Sequence, residues 1–173
     1  REIIANANGA ALIDSERFDL QAHARTICSN WERVIAEAVF KYAGSVYADI
    51  EKLRANSGDA KAYRTYVKHW GELKGFALSL HTGKFSLGSL GAELDALIGY
   101  GPVLMNGTQV SSLDATGAYQ MAGASVDGYM VNMLKVQNLM AEEFGIVAKN
   151  NDKLAGISNL AEALGLANSA END

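Results

Sequence analysis

The sequence predicts an all-α fold, an irregular antiparallel helical bundle of three long helices plus short ones. Three observations lead there. Proline, which breaks helix interiors, occurs once in 173 residues. Apolar residues make up 49% of the chain, and over three long stretches they recur at spacings of three and four, the period of one helix face. Short breaks rich in Gly, Ser, Asn and Asp separate those stretches.

Ile3, Ile4, Ala7 and Ala11 mark a short first helical face, after which Asp14 and Ser15 offer N-cap oxygens. The next helix is expected from about residue 18 to 54, with Ile27, Trp31, Val34, Ile35, Val39, Tyr42, Val46, Ile50 and Leu53 on its inward stripe and Gly44 as a place to bend. "ANSGD" at 55–59 closes it and opens another within a few residues, which makes the two antiparallel neighbours. That second helix spans 60 to about 80, with Tyr66, Val67, Trp70, Leu73, Ala77 and Leu80 inward, and ends in the glycine-rich loop "HTGKFSLGSLG". A short helix over 92–98 follows. The spacing then predicts a third long helix over 114–149, burying Met121, Met133 and Met140, and a last helix in "ISNLAEALGLA".

Formal net charge is −5, with acids and bases scattered. No basic stripe exists to meet a phosphate backbone, so nucleic acid is not an expected partner. No apolar run reaches the roughly 18 residues that span a bilayer, and no transmembrane segment is expected. The single cysteine, Cys28, has no internal disulfide partner and is expected to act as a small buried hydrophobe. The chain opens on Arg1 as if in mid-protein, and is read as one domain over 1–173 of a mature product or a fragment with any targeting signal upstream.

Chemistry concentrates in "KHWGELKGF", where His69 and Glu72 stand three apart and share one side of the helix. They supply two donors, whereas a zinc site takes three or four. Two readings follow: a polar network joining His69 or Glu72 to Glu32, Arg33 or Glu37 of the neighbouring helix, or a ligand or metal site at His69 and Glu72, for iron or zinc, flanked by Trp70 and Tyr66. Asp19 and His23 lie too near the start of their helix to complete it. Di-iron bundles use Glu-x-x-His twice with two further glutamates, while the order here is His-x-x-Glu, once. His81 reads as a cation at a helix C-terminus. Gly71 and Gly75 suggest close helix approach, and the Tyr63 and Tyr66 hydroxyls are expected at a wet rim. No HExxH, paired CxxC, GxSxG or phosphate-loop pattern occurs, so no catalytic residue is assigned.

Trp31, Glu32, Val34 and Ala36, followed by Trp70, Glu72, Leu73, Lys74, Gly75, Phe76, Ala77 and Leu80, resemble the tryptophan helices of the bacterial-envelope family known as domain of unknown function 4856. His69 takes the place of a phenyl-type aromatic in that pattern. The family is similar to the imelysin-like helical proteins, whose Gly-x-His-x-x-Glu motif is met here by His69 and Glu72, with Val67 at the glycine. The resemblance implies the C-terminal half of a non-enzymatic binding module in the periplasm or outer membrane, exported or lipid-anchored and linked to iron or other ligand uptake. It leaves open a metal-dependent peptidase-like hydrolase using His69 and Glu72, and a structural subunit paired with an N-terminal portion, a companion chain or a second copy.

Overall fold

A computed structural model describes residues 1–82 and 87–147. Among these residues the order is α1 (Glu2–Ala7), α2 (Asp14–Ala55), α3 (Ala60–His81), α4 (Ser89–Ile98), β1 (Thr108–Leu113), β2 (Tyr119–Gly123) and α5 (Val126–Phe144). The helical bundle expected from the sequence is present, with one β-hairpin added.

Helix α2 is the spine, and it runs unbroken through Gly44, which is buried. It begins four residues before the expected residue 18, and its cap is Ile13, one residue before the expected Asp14. The Ile13 amide donates to Glu16 Oε2 at 3.0 Å, half of a capping box, so Asp14 and Ser15 fall inside the first turn. At the other end Asp59 caps α3, its Oδ1 accepting from the Lys61 amide at 2.8 Å and the Ala62 amide at 3.0 Å. Those backbone bonds lower the Asp59 pKa, since they favour the charged carboxylate.

The tight turn folds α3 back along α2, so that His69 lies beside Asp49 and Phe76 stacks on Tyr42. Helix α5 lies on another side of α2 and is also antiparallel to it: Arg54 pairs with Asp127, Gln137 Nε2 donates to the Phe40 carbonyl at 3.0 Å, and Arg33 reaches the Gly145 carbonyl at 3.3 Å. Between the three helices sit Val39, Ile50, Leu53, Tyr66, Leu73 and Met133, all with no exposed surface. Each large apolar side chain so buried contributes about 1.5–3 kcal/mol relative to exposure. Helix α4 closes the end of the core with Leu94 and Ile98, and Asp95 holds it to α3 by accepting from Lys74 at 2.9 Å and pairing with His81 at 3.2 Å. Gly91 permits this approach, because a Cβ there would lie 2.6 Å from the His81 ring.

Several expectations are corrected by this register. Continuing the pairs Asp49–His69 and Tyr42–Phe76 places the end of α3 opposite Glu37, so α2 runs far beyond its neighbour. Trp31, expected inward, is 67% exposed, with Ile27 at 69% and Val34 at 57%. Cys28, expected buried, is exposed for the same reason. Gly71 and Gly75 face open space and allow no close approach, since the buried residues of α3 are Tyr66, Leu73, Ala77 and Leu80.

The helix expected over 114–149 begins only at Val126. Residues 108–123 form an antiparallel hairpin, Thr108 pairing with Gly123 and Leu113 with Tyr119, with a bulge between Val110 and Ser112. Asp114 decides this locally. Its Oδ1 accepts from the Thr116 amide at 2.8 Å, the Ala118 amide at 2.9 Å and the Thr116 hydroxyl at 2.7 Å, and Gly117 supplies the left-handed residue with φ of 83°. These bonds, the Thr116 hydroxyl first, lower the Asp114 pKa. Met121 therefore stands on an exposed strand, while Met133 and Met140 are buried as expected and Met130 is buried with them. Helix α5 ends at Gly145, in the left-handed conformation, ahead of the expected stop in "KNNDK". The last expected helix lies outside the described residues.

Replacing Leu73 by Ala at the centre of the core should cost about 2–5 kcal/mol, through lost transfer energy plus a cavity. Urea unfolding with an unchanged slope is the measurement, and a loss below about 1 kcal/mol would contradict the packing described.

Candidate functional site

His69 sits midway along α3, a quarter exposed, over α2. Its Nδ1 lies 2.5 Å from Asp49 Oδ2, and Asp49 is 2% exposed. The second Asp49 oxygen accepts from Lys52 Nζ at 3.2 Å. Both carboxylate oxygens of a buried acid are thus engaged, as burial of a charge demands. With the carboxylate as acceptor, Nδ1 must carry the proton, which fixes the ring and leaves Nε2 as its other functional nitrogen. An aromatic wall adjoins: the Tyr42 ring is 6.0 Å from the His69 ring and stacks on Phe76 at 5.6 Å with planes 10° apart.

Glu72 is one turn further along α3. Its Oε1 is 3.6 Å from Lys68 Nζ, a loose pair, while its Oε2 is shut off from solvent and has no hydrogen-bond partner among the described residues. A carboxylate oxygen in that condition costs stability, about 1–3 kcal/mol for a neutral group and more for a charged one. It is a vacant acceptor on the His69 side of the helix.

The partner of His69 is thus Asp49, and the expected network through Glu32, Arg33 and Glu37 is corrected. Those residues lie between one and three turns beyond Tyr42, near or past the end of α3; Arg33 and Glu37 pair with each other at 3.6 Å instead. Asp49 was legible as an acid on the Tyr42 stripe, seven residues on, and the turn at 55–59 places it opposite His69 once the register is counted from that turn.

Tyr66 and Trp70, expected beside a ligand, belong to the core. Tyr66 has no exposed surface, and its hydroxyl donates to the Val103 carbonyl at 2.8 Å, away from the wet rim expected for it. Trp70 Nε1 donates to the Tyr129 hydroxyl at 2.9 Å, which donates in turn to the Ile98 carbonyl at 2.9 Å. This relay ties α3 to α5 and to the end of α4. Burial raises the pKa of both phenols well above the ordinary tyrosine value; for Tyr66 the neighbouring tyrosines add to it.

Among the described residues no group of three or more His, Cys, Asp and Glu side chains is placed to hold a metal ion. His69 and Glu72 remain two donors without a third, since Asp49 is spent on His69 and Lys52. No helix among the described residues is long and apolar enough to cross a membrane. No protein-family model, curated protein or solved structure matches the chain.

Asp49→Ala removes the acceptor from both His69 and Lys52 and is expected to cost about 1–3 kcal/mol in urea unfolding. A neutral result would mean that the pair does not fix the α2–α3 register. The tyrosines give a pH test. A phenol whose pKa is raised by folding stabilises the protein below the unfolded value of about 10, and that contribution is lost as pH climbs above it. Stability should therefore fall above about pH 10, and less steeply in Tyr66→Phe and Tyr129→Phe, as followed by circular dichroism against pH.

Proposed function

We propose that this chain is a non-enzymatic helical binding module of a bacterial envelope, taking a ligand at the α3 face that carries His69 and Glu72. The observation that carries this reading is the enclosed, partnerless Oε2 of Glu72, set one helical turn from a histidine already oriented by a buried carboxylate. Carboxylate-oriented histidines and vacant carboxylate oxygens are the form a ligand-ready donor pair takes. The resemblance to imelysin-like proteins supplies the envelope setting and the link to iron uptake.

Two donors do not make a closed zinc or iron site. They suit a ligand that brings its own hydrogen-bond donors, or a metal ion that arrives with ligands of its own, such as chelated or porphyrin-held iron. A metal-dependent hydrolase would need a third protein ligand, which the described residues do not offer. A role as an interaction subunit is favoured by a separate observation, the apolar surface of α2 around Trp31.

The test is thermal unfolding and equilibrium binding with ferric citrate, hemin and zinc chloride, each alone. At least one should raise the melting temperature of the natural chain. Glu72→Met removes the stranded oxygen, so it should raise the ligand-free melting temperature by about 2–4 °C while abolishing the ligand response. His69→Ala should abolish the response as well. Variants that keep the full response and change only stability would make the pair a packing feature and overturn the proposal.

A further inference from the structure

His69 and Glu72 offer a ligand acceptors and no donors. Asp49 Oδ2 accepts from His69 Nδ1, so in the neutral ring Nε2 carries only its lone pair. An ionised Glu72 accepts and cannot donate, and its enclosed Oε2 has no hydrogen-bond partner among the described residues. Asp49 has nothing left to give, since His69 and Lys52 hold its two oxygens. An anionic ligand would find no free N–H on these three side chains, whereas a group with two or three N–H donors would satisfy both acceptors together. A positive charge on that group would strengthen its bond to the Glu72 carboxylate.

Beside the acceptors stands an apolar wall. Tyr42 stacks on Phe76 with ring centroids 5.6 Å apart, and its ring approaches that of His69 at 6.0 Å. Glu72 follows His69 by three residues and precedes Phe76 by four, so it shares their side of α3 and stands between the two residues that meet Tyr42. Aromatic faces attract cations, and an alkyl stem packs on their edges. Two of the chain's own ammonium groups already show the preference: Lys68 Nζ lies 3.6 Å from Glu72 Oε1, and Lys41 Nζ lies over the Tyr42 ring, 5.4 Å from its centroid. Neither is held firmly. The Lys68 side chain is 68% exposed, and a lysine placed four residues before a glutamate is the weaker order of such a helical pair. Lys41 is exposed as well. The terminal torsion of a glutamate is broad and two-fold, so either oxygen of Glu72 can turn to a newcomer.

We propose that the ligand taken at this face is a primary alkylammonium, carried by a free amine or by a lysine side chain, with its N–H groups on Glu72 Oε2 and His69 Nε2 and its methylenes along Tyr42 and Phe76. The assignment rests on the binding role proposed above for His69 and Glu72 and specifies what that role takes. Lys68 then competes with the ligand for the carboxylate and is not one of its contacts.

The test is titration of the whole natural chain with n-pentylamine, with the methylamide of acetylated lysine and with tetramethylammonium, at constant pH and ionic strength, followed by NMR of the His69 ring and of the 69–76 amides. At least one of the two amines should give saturable shifts, and the tighter of them names the source of the ammonium. Tetramethylammonium, a cation without N–H, should bind about tenfold more weakly. Glu72→Gln keeps the shape of the side chain and removes its charge, and should weaken the better amine about tenfold. Lys68→Met, at an exposed position, should leave the fold intact and tighten that amine about twofold. No saturable shift with either amine, equal binding of tetramethylammonium, amine binding unchanged in Glu72→Gln, or weaker amine binding in Lys68→Met would each overturn the proposal. The last of these would show that the site reads negative charge. A response to ferric citrate, hemin or zinc chloride that is lost in Glu72→Gln, with none to the amines, would sink this assignment and leave the binding role standing, whereas silence to every probe would sink both.

Discussion

The fold depends on the register between α2 and α3, and one charged contact pins it: the carboxylate of Asp49 held between His69 and Lys52 inside the helix pair. A buried acid permits little slippage. Moving α3 by one turn would carry His69 past its acceptor and leave one oxygen of a buried carboxylate unpaired, with Lys52 of the same helix holding the other. The stacking of Tyr42 on Phe76 one level away repeats the same register with apolar groups. From that register follow the exposed half of α2, the enclosure of the Glu72 Oε2 and the place where α5 can lie.

Much of this architecture was legible from periodicity and punctuation alone. The turn at 55–59, the cap at Asp59, the burial of Leu73, Ala77 and Leu80, and the methionine positions 133 and 140 follow from spacing and from capping side chains. Two things were not. The hairpin at 108–123 was hidden because Ala118, Met121 and Ala122 happen to sit at helical intervals, and the decisive signal was the Asp114-to-Gly117 turn, whose side-chain bonds outweigh a weak helical pattern enriched in Gly and Ser. The exposure of Trp31 was hidden for a different reason. A stripe shows that a face is apolar, and not how far along it the neighbour reaches.

The candidate site divides in the same way. His69 and Glu72 share a face as their spacing requires, but the acid that orients His69 comes from a level that only the register reveals. Tyr66 and Trp70 resembled ligand contacts because each is amphipathic. Their polar ends are instead consumed by main-chain carbonyls and by Tyr129, the usual fate of such groups in a core.

The relay from Trp70 through Tyr129 to the Ile98 carbonyl has a consequence for motion. Its hydroxyl gives one proton and receives another, so the phenol has a single rotational setting and cannot satisfy either neighbour without the other. Separation of α3, α4 or α5 at this point strands polar groups on the remaining two. The three should consequently open to solvent as one cooperative unit, while α1, with no buried residue, exchanges its amides on its own schedule.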